Sequence, residues 1–345
     1  GREYRRALDF APPNYDNFLR AGAFYREGGL YREAIALLEK AVAQAPSKPE
    51  GHRQLGLARL EMGEKTEGLR SLQQAAELAP KDPLYQIELA SAFRVIGEPS
   101  DAAKKLLSIT KEWPGSAGAF YNLGLALADQ RWYGEAVSPL SRAVELEPDN
   151  PLHRCALARS LVALGRHEDA LAHLHDASAS GSAHCNDLVE IGRILEEIGR
   201  PEEALGVYRH GLEKEPGAEL YYQAARVLHL LHRPQDAAAS LRAALSLEER
   251  AGWQNELGEL LEETGKASDA LPCFQRASQL DPKEPLYHRN VGVALERLHR
   301  YEPAREALQE AVRLRPDYKD ALGHLASVTA KFTLEREVKK RSSQH

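Results

Sequence analysis

Proline recurs along this chain every 34 residues: Pro12, Pro46, Pro80, Pro114 and Pro148 keep the step, and Pro282 and Pro316 resume it. A fixed period of this size constrains the fold more than any local propensity, because each unit is too short to bury a core alone and must stack on its neighbours. The clearest statement of the unit is AFYNLGLALADQRWYGEAVSPLSRAVELEPDN, Ala119 to Asn150. In phase with it the sequence divides into nine repeats, 15–48, 49–82, 83–116, 117–150, 151–184, 185–217, 218–250, 251–284 and 285–318, and residues 319–345 begin a tenth. Length here counts repeats, not globular domains.

Small residues mark three phases. Position 8 of each repeat is Gly22, Gly56, Ala90, Gly124, Ala158, Gly192, Ala225, Gly258 or Gly292; position 20 is Ala except at Gly68; position 27 is small in most repeats. Such positions predict close approach of helix backbones. Between them apolar residues fall at helical spacing, as in Phe120, Leu123, Leu127 and then Val137, Leu140, Val144, which predicts two amphipathic helices, A and B, per repeat. Gly29, Gly63, Gly97, Gly165, Gly199 and Gly265 follow helix A, where a left-handed cap suits glycine. Pro99, Pro201 and Pro234 open helix B and Pro49, Pro83, Pro151 and Pro285 open helix A, where a missing N–H costs little. Pro139 and Pro272 fall inside helix B and predict a kink or a late helix start. The segment Ala177 to His184, ASASGSAH, lacks the closing proline and reads as the loosest connection.

Composition excludes several classes. A net charge of −6 argues against nucleic acid as partner. Cys155, Cys185 and Cys273 are widely separated with no CxxC, so neither a disulfide framework nor a zinc site is expected and a reducing compartment is tolerated. No apolar run approaches the ~18 residues of a membrane span. His229 with His232, and His173 with His175, have no third ligand at zinc spacing. No HExxH, GxSxG or P-loop occurs, and the Glu pairs Glu196–Glu197, Glu202–Glu203 and Glu262–Glu263 resemble solvated helix faces more than a shielded acid and base. No catalytic residue, metal or cofactor is assigned.

The 34-residue period, with small residues at positions 8, 20 and 27 and proline at 32, resembles the tetratricopeptide repeat family from about Ala7 to Thr329. The family's aromatic at position 4 is present as Phe18, Phe120 and Tyr221 and replaced by His52, Gln86, Arg154, Gln254 and His288. The resemblance implies an all-α, right-handed superhelical solenoid in which helices A line a concave groove. It implies a protein or peptide partner held there, in a non-catalytic scaffold or adaptor; the alternative is the recruiting arm of a larger enzyme or secretion machine whose working domain lies outside this chain. Residues 1–14 read as the tail of a preceding repeat, which suggests a cut or processed N-terminus, 319–341 as a C-terminal capping helix and 342–345 as a disordered tail. The compartment stays open: cytoplasmic or, if a signal was removed, periplasmic or secreted.

Groove positions are 2, 5, 6, 9, 12 and 13 of each helix A. The family's chaperone-tail clamp needs cationic residues that are missing around Asn122 and Asn290, and the asparagine ladder of some members is here a mixture at position 6. What remains is a gradient. Arg20, Arg53 and Arg94 lie early; Ile87, Tyr121, Asn122 and Leu125 lie in an apolar middle; Glu190, Glu197, Glu256, Glu259 and Glu263, with Asn290, lie late. These are the candidate partner-binding residues, and they predict a segment with a basic part against repeats six to eight and an apolar anchor against repeats three to five. The competing reading is that the charges only keep the surface soluble.

Overall fold

A computed structural model of the chain describes residues 14–342. The readings of residues 1–13 and 343–345 lie outside the described residues. Nineteen α-helices and no strand are present among the described residues. Helices A are Tyr15–Glu27, Pro49–Met62, Pro83–Ile96, Ala117–Asp129, Pro151–Ala163, Cys185–Glu197, Ala218–Leu230, Ala251–Glu263 and Pro285–Arg297. Helices B are Tyr31–Gln44, Lys65–Leu78, Pro99–Glu112, Tyr133–Leu146, His167–Ala179, Pro201–Lys214, Pro234–Leu247, Ala267–Leu280 and Tyr301–Leu314. The last helix, Lys319–Ser342, runs unbroken and includes Ser342, one residue beyond the expected cap. Asn14 caps the first helix A, its side chain accepting the Asn17 N–H at 2.9 Å.

The chain separates into two compact units between Ser182 and Ala183, inside the ASASGSAH segment. Within the first unit that segment is fastened: the Ser180 and Ser182 hydroxyls both donate to the Asp149 carbonyl, at 2.8 and 2.6 Å. The inward prolines do not delay helix B, since Tyr133–Leu146 and Ala267–Leu280 run through Pro139 and Pro272. The fourth helix B is secured instead by Ala136, Leu140 and Ala143, all fully buried, so tertiary packing overrides the ~3 kcal/mol penalty of an interior proline.

One contact recurs from repeat to repeat. The residue at position 24 of helix B is large and buried, and in the six repeats with glycine at position 8 of helix A it lies directly over that glycine. A Cβ on Gly124 would stand 2.4 Å from Leu140 Cγ; on Gly192, 2.1 Å from the Tyr208 ring; on Gly258, 2.5 Å from the Phe274 ring. Where position 24 is aromatic, position 8 is glycine; where position 8 is alanine, as at Ala90, Ala158 and Ala225, position 24 is leucine, at Leu106, Leu174 and Leu241.

The turn after helix A is equally regular. Position 15 takes positive φ in all nine repeats, six times as glycine and three times as Arg131 (φ 61°), His232 (58°) and His299 (57°). The next N–H then reaches back five residues, as in Glu64 to Arg59 (2.8 Å) and Trp132 to Leu127 (3.0 Å), which satisfies carbonyls left open by the helix end. An L-residue held there costs about 1 kcal/mol relative to glycine, partly offset by glycine's larger unfolded-state entropy. Arg131→Gly is therefore expected to stabilise the chain by about 0.5 kcal/mol, read from urea denaturation, whereas Gly97→Arg should destabilise it.

Candidate partner-binding surface

Within the first unit, helices A of successive repeats touch from repeat one to repeat five, and no pair of successive helices B packs as closely. The A–A contacts carry two kinds of tie. Position 5 meets position 6 of the next repeat, and position 12 meets position 13. Arg53 forks onto Glu88 with Nε and Nη2 at 2.7 and 2.8 Å and reaches Glu50 at 2.7 Å; Arg26 meets Glu61 at 2.7 Å and Arg94 meets Asp129 at 2.6 Å. The early arginines of the gradient are thus mostly engaged within the array. Arg20 is exposed and has no such tie to another described residue.

The apolar middle also divides. Ile87 is 8% exposed and Cys155 is buried, so both belong to the packing, and Ile87 joins a cluster with Leu106, Leu123 and Ala126. Asn122 donates to the Gly118 carbonyl of its own helix at 2.9 Å. Tyr121 is half-buried against the buried His153, ring centroids 4.9 Å apart, and Leu125 is half-buried beside it. Burial lowers the His153 pKa, so this ring is a neutral platform at physiological pH.

In the second unit the same tie positions hold different chemistry. Between repeats eight and nine, Glu262 meets Arg297 at 2.6 Å, and between repeat nine and the last helix, Glu296 meets Lys331 at 2.7 Å. Glu296 also accepts from His324 and Ser327, each at 2.9 Å, which fastens the last helix. Burial works to raise the Glu296 carboxyl, and these bonds outweigh it and hold the group below its usual range. Between repeats seven and eight neither tie position holds Arg or Lys. Glu256 takes the Tyr222 hydroxyl at 3.0 Å, and Glu263 faces His229 Nε2 at 2.8 Å.

These side chains line a cavity of about 730 Å³ together with Glu196, Glu259 and Arg226. Each carboxylate spends one oxygen on the protein: Glu196 accepts from the buried Tyr208 hydroxyl at 2.7 Å, and Glu259 from Asn255 at 2.8 Å. Arg226 stands 3.9 Å from Glu196 as the one guanidinium of the lining. Four carboxylates therefore share a single guanidinium among the lining side chains. Burial pushes the Glu256 carboxyl up, the Tyr222 bond works against it and the nearby Glu259 charge reinforces it. The Tyr222 hydroxyl is in turn pushed up to about 12 by burial and by Glu256. Its ring stacks on Trp253 at 4.8 Å, and the Arg250 guanidinium covers Trp253 at 4.3 Å, so the Tyr222 donor is held rigidly.

Of the late residues named from sequence, Glu256, Glu259 and Glu263 come together at this cavity, while Glu190 and Glu197 do not line it. Asn290 is buried and donates to Asn255 at 2.7 Å, so it supports the floor instead of meeting a ligand. Tyr222 and Arg226 escaped the sequence reading; position 5 holds residues as unlike as Leu19, Arg53, Tyr121, Val189 and Asn255 in other repeats, so nothing in the repeat pattern singled Tyr222 out. Among the described residues no group of three or more His, Cys, Asp or Glu side chains is placed to hold a metal ion, and no helix is long and apolar enough to cross a membrane.

Models of the tetratricopeptide repeat match residues 87–151, 155–219, 189–256 and 255–319, and a second model of the same description matches 25–92. The chain belongs to the tetratricopeptide repeat family, whose members mediate protein–protein interactions. It is 30% identical over 88 residues to small glutamine-rich tetratricopeptide repeat-containing protein 2 of Mycosarcoma maydis, and the match covers 26% of this chain and 25% of that protein. Among solved structures it is similar to the Cut9–Hcn1 hetero-tetramer of the APC/C, with 14% identity, TM-score 0.42 and coverage of 91% of this chain and 64% of that one. It is also similar to YrrB, described as a TPR protein with an unusual peptide-binding site (20% identity, TM-score 0.40, 64% and 97%), and to MamA 41-end of Desulfovibrio magneticus RS-1 (19%, TM-score 0.40, 49% and 97%).

A carboxyl whose folded pKa lies above its unfolded value lowers stability wherever it is ionised. For Glu256 that penalty is present at neutral pH and vanishes as pH falls through the raised value towards the unfolded one. Glu256→Gln, which keeps an acceptor for Tyr222, is expected to raise the melting temperature at pH 7, with the gain disappearing in the acidic carboxylate range. A gain that persists at low pH, or a loss at pH 7, contradicts this reading of the cavity.

Proposed function

We propose that the chain is a non-catalytic interaction scaffold that binds a basic segment of a partner protein on the helix-A face of repeats six to eight. The observation that carries this reading is the junction of repeats seven and eight. Ion-paired A–A ties at other junctions set carboxylates against Arg or Lys, whereas this junction sets them against Tyr222 and His229. A partner Lys or Arg supplies the missing cation: it relieves repulsion among Glu256, Glu259 and Glu263 and accepts a charge-assisted geometry already fixed by Tyr222 and Asn255. In the first unit, Tyr121 and Leu125 with the exposed Val95 offer a separate apolar surface suited to an aliphatic or aromatic side chain of a partner segment.

The test is calorimetric titration of a synthetic peptide carrying three arginines into the full chain at about 50 and 300 mM salt. Glu256→Lys, Glu259→Lys and Glu263→Lys together are expected to weaken binding at least about tenfold and to flatten its salt dependence. Glu262 is left unchanged because it already serves Arg297. Unchanged affinity and unchanged salt dependence would refute the proposal.

A further inference from the structure

The helix-A face accounts for only one side of the repeats. In the first unit, helix B of repeat three (Pro99–Glu112) and helix B of repeat four (Tyr133–Leu146) flank a cavity of about 940 Å³. The A helices of these repeats pack more closely than the B helices, so the layer is more open on the B side. Its floor is Phe120, Leu123 and Leu127 of the intervening helix A, and its walls are Leu107, Trp132 and Pro139. Leu107 is 49% and Trp132 53% exposed, so two large apolar side chains face solvent across an apolar floor. A volume of this size lies within the ~300–1,000 Å³ of ligand-binding pockets.

Charge decides what fits. Four charged residues line the cavity. Lys104 is satisfied by Asp101 at 3.0 Å, and Arg142 and Glu145 satisfy each other at 2.8 Å. Glu135 alone has no ion pair or hydrogen bond through its side chain to another described residue. Its backbone is open as well: Pro139, four residues on, has no N–H to give the Glu135 carbonyl its helical bond. One residue thus offers two acceptors, one of them anionic, at the edge of an apolar cavity.

We infer that this cavity is a second docking site, taking a short apolar segment of a partner protein that carries one basic side chain against Glu135. An acidic segment is disfavoured there by the same carboxylate. An apolar segment without a cation leaves Glu135 desolvated beside it, which lowers affinity. The site lies outside the surface proposed above and uses none of its residues.

The experiment uses the full chain carrying Glu256→Gln, Glu259→Gln and Glu263→Gln, which silences the acidic cavity of the second unit. Two labelled synthetic peptides, Ser-Leu-Leu-Arg-Phe-Leu-Ser and its Arg→Glu counterpart, are titrated by fluorescence anisotropy. The arginine peptide is expected to bind about fivefold or more tightly than the glutamate peptide, the range of a half-exposed ion pair. Glu135→Gln should erase that preference, and Leu107→Asp should abolish binding of both. Leu107→Asp sits on an exposed position, and circular dichroism is the check that the variant is folded. Equal binding of the two peptides, a preference that survives Glu135→Gln, or no binding of either overturns the inference. Sedimentation of the unliganded chain gives a further check: a dimer that Leu107→Asp dissociates would assign the cavity to a second copy of the chain and also overturn it.

Discussion

The repeats of this molecule rest on one steric arrangement, a bulky buried side chain at position 24 of helix B, lodged in six of them over a glycine at position 8 of helix A. Tyr208 and Phe274 are essentially inaccessible, and each has glycine beneath it. Close packing of this kind has no slack, because added volume forces rings off their rotamers or backbones apart. It also sets the distance between the two helices of a repeat, and through the left-handed residue at position 15 it sets where the second helix begins. The three non-glycine residues at that position show how firmly the turn is dictated by its surroundings: Arg131, His232 and His299 accept a conformation that L-residues disfavour.

With the repeats built, the helix-A face becomes a problem of charge assignment. Positions 5 and 12 reach positions 6 and 13 of the next repeat, so a charged side chain at these places can serve the array or a partner. Arg53 with Glu88, Arg94 with Asp129 and Glu262 with Arg297 serve the array. Among the described residues, Glu256 and Glu263 are held by Tyr222 and His229 instead of by Arg or Lys. The proposed binding surface is what is left after internal ties are counted, and for that reason it is narrower than the acidic gradient along the sequence.

The fold was legible in the sequence because period, small residues and capping residues all report local backbone geometry that a single repeat determines. The site was legible only in part. Ile87 and Asn290 sit at positions that face a ligand in principle, yet one is drawn into the cluster around Leu106 and the other into a buried bond with Asn255. Those outcomes depend on partners 19 and 35 residues away, which no local pattern reports. The cavity beside Pro139 was hidden for a related reason. A proline inside helix B signals a lost hydrogen bond, but whether it kinks the helix or opens an acceptor depends on packing from the neighbouring repeat.

The most direct measurement is a double-mutant cycle at the sixth repeat, with Gly192→Ala and Tyr208→Leu compared singly and together by urea denaturation of the full chain. Gly192→Ala alone should lose about 1–3 kcal/mol by overpacking, and Tyr208→Leu alone should lose stability with its ring and its bond to Glu196. The pair recreates the alanine-under-leucine arrangement of Ala90 with Leu106 and Ala158 with Leu174. The account predicts that the double variant is more stable than the sum of the single losses by at least about 1 kcal/mol. Strict additivity would mean that the two positions do not constrain each other, and would contradict it.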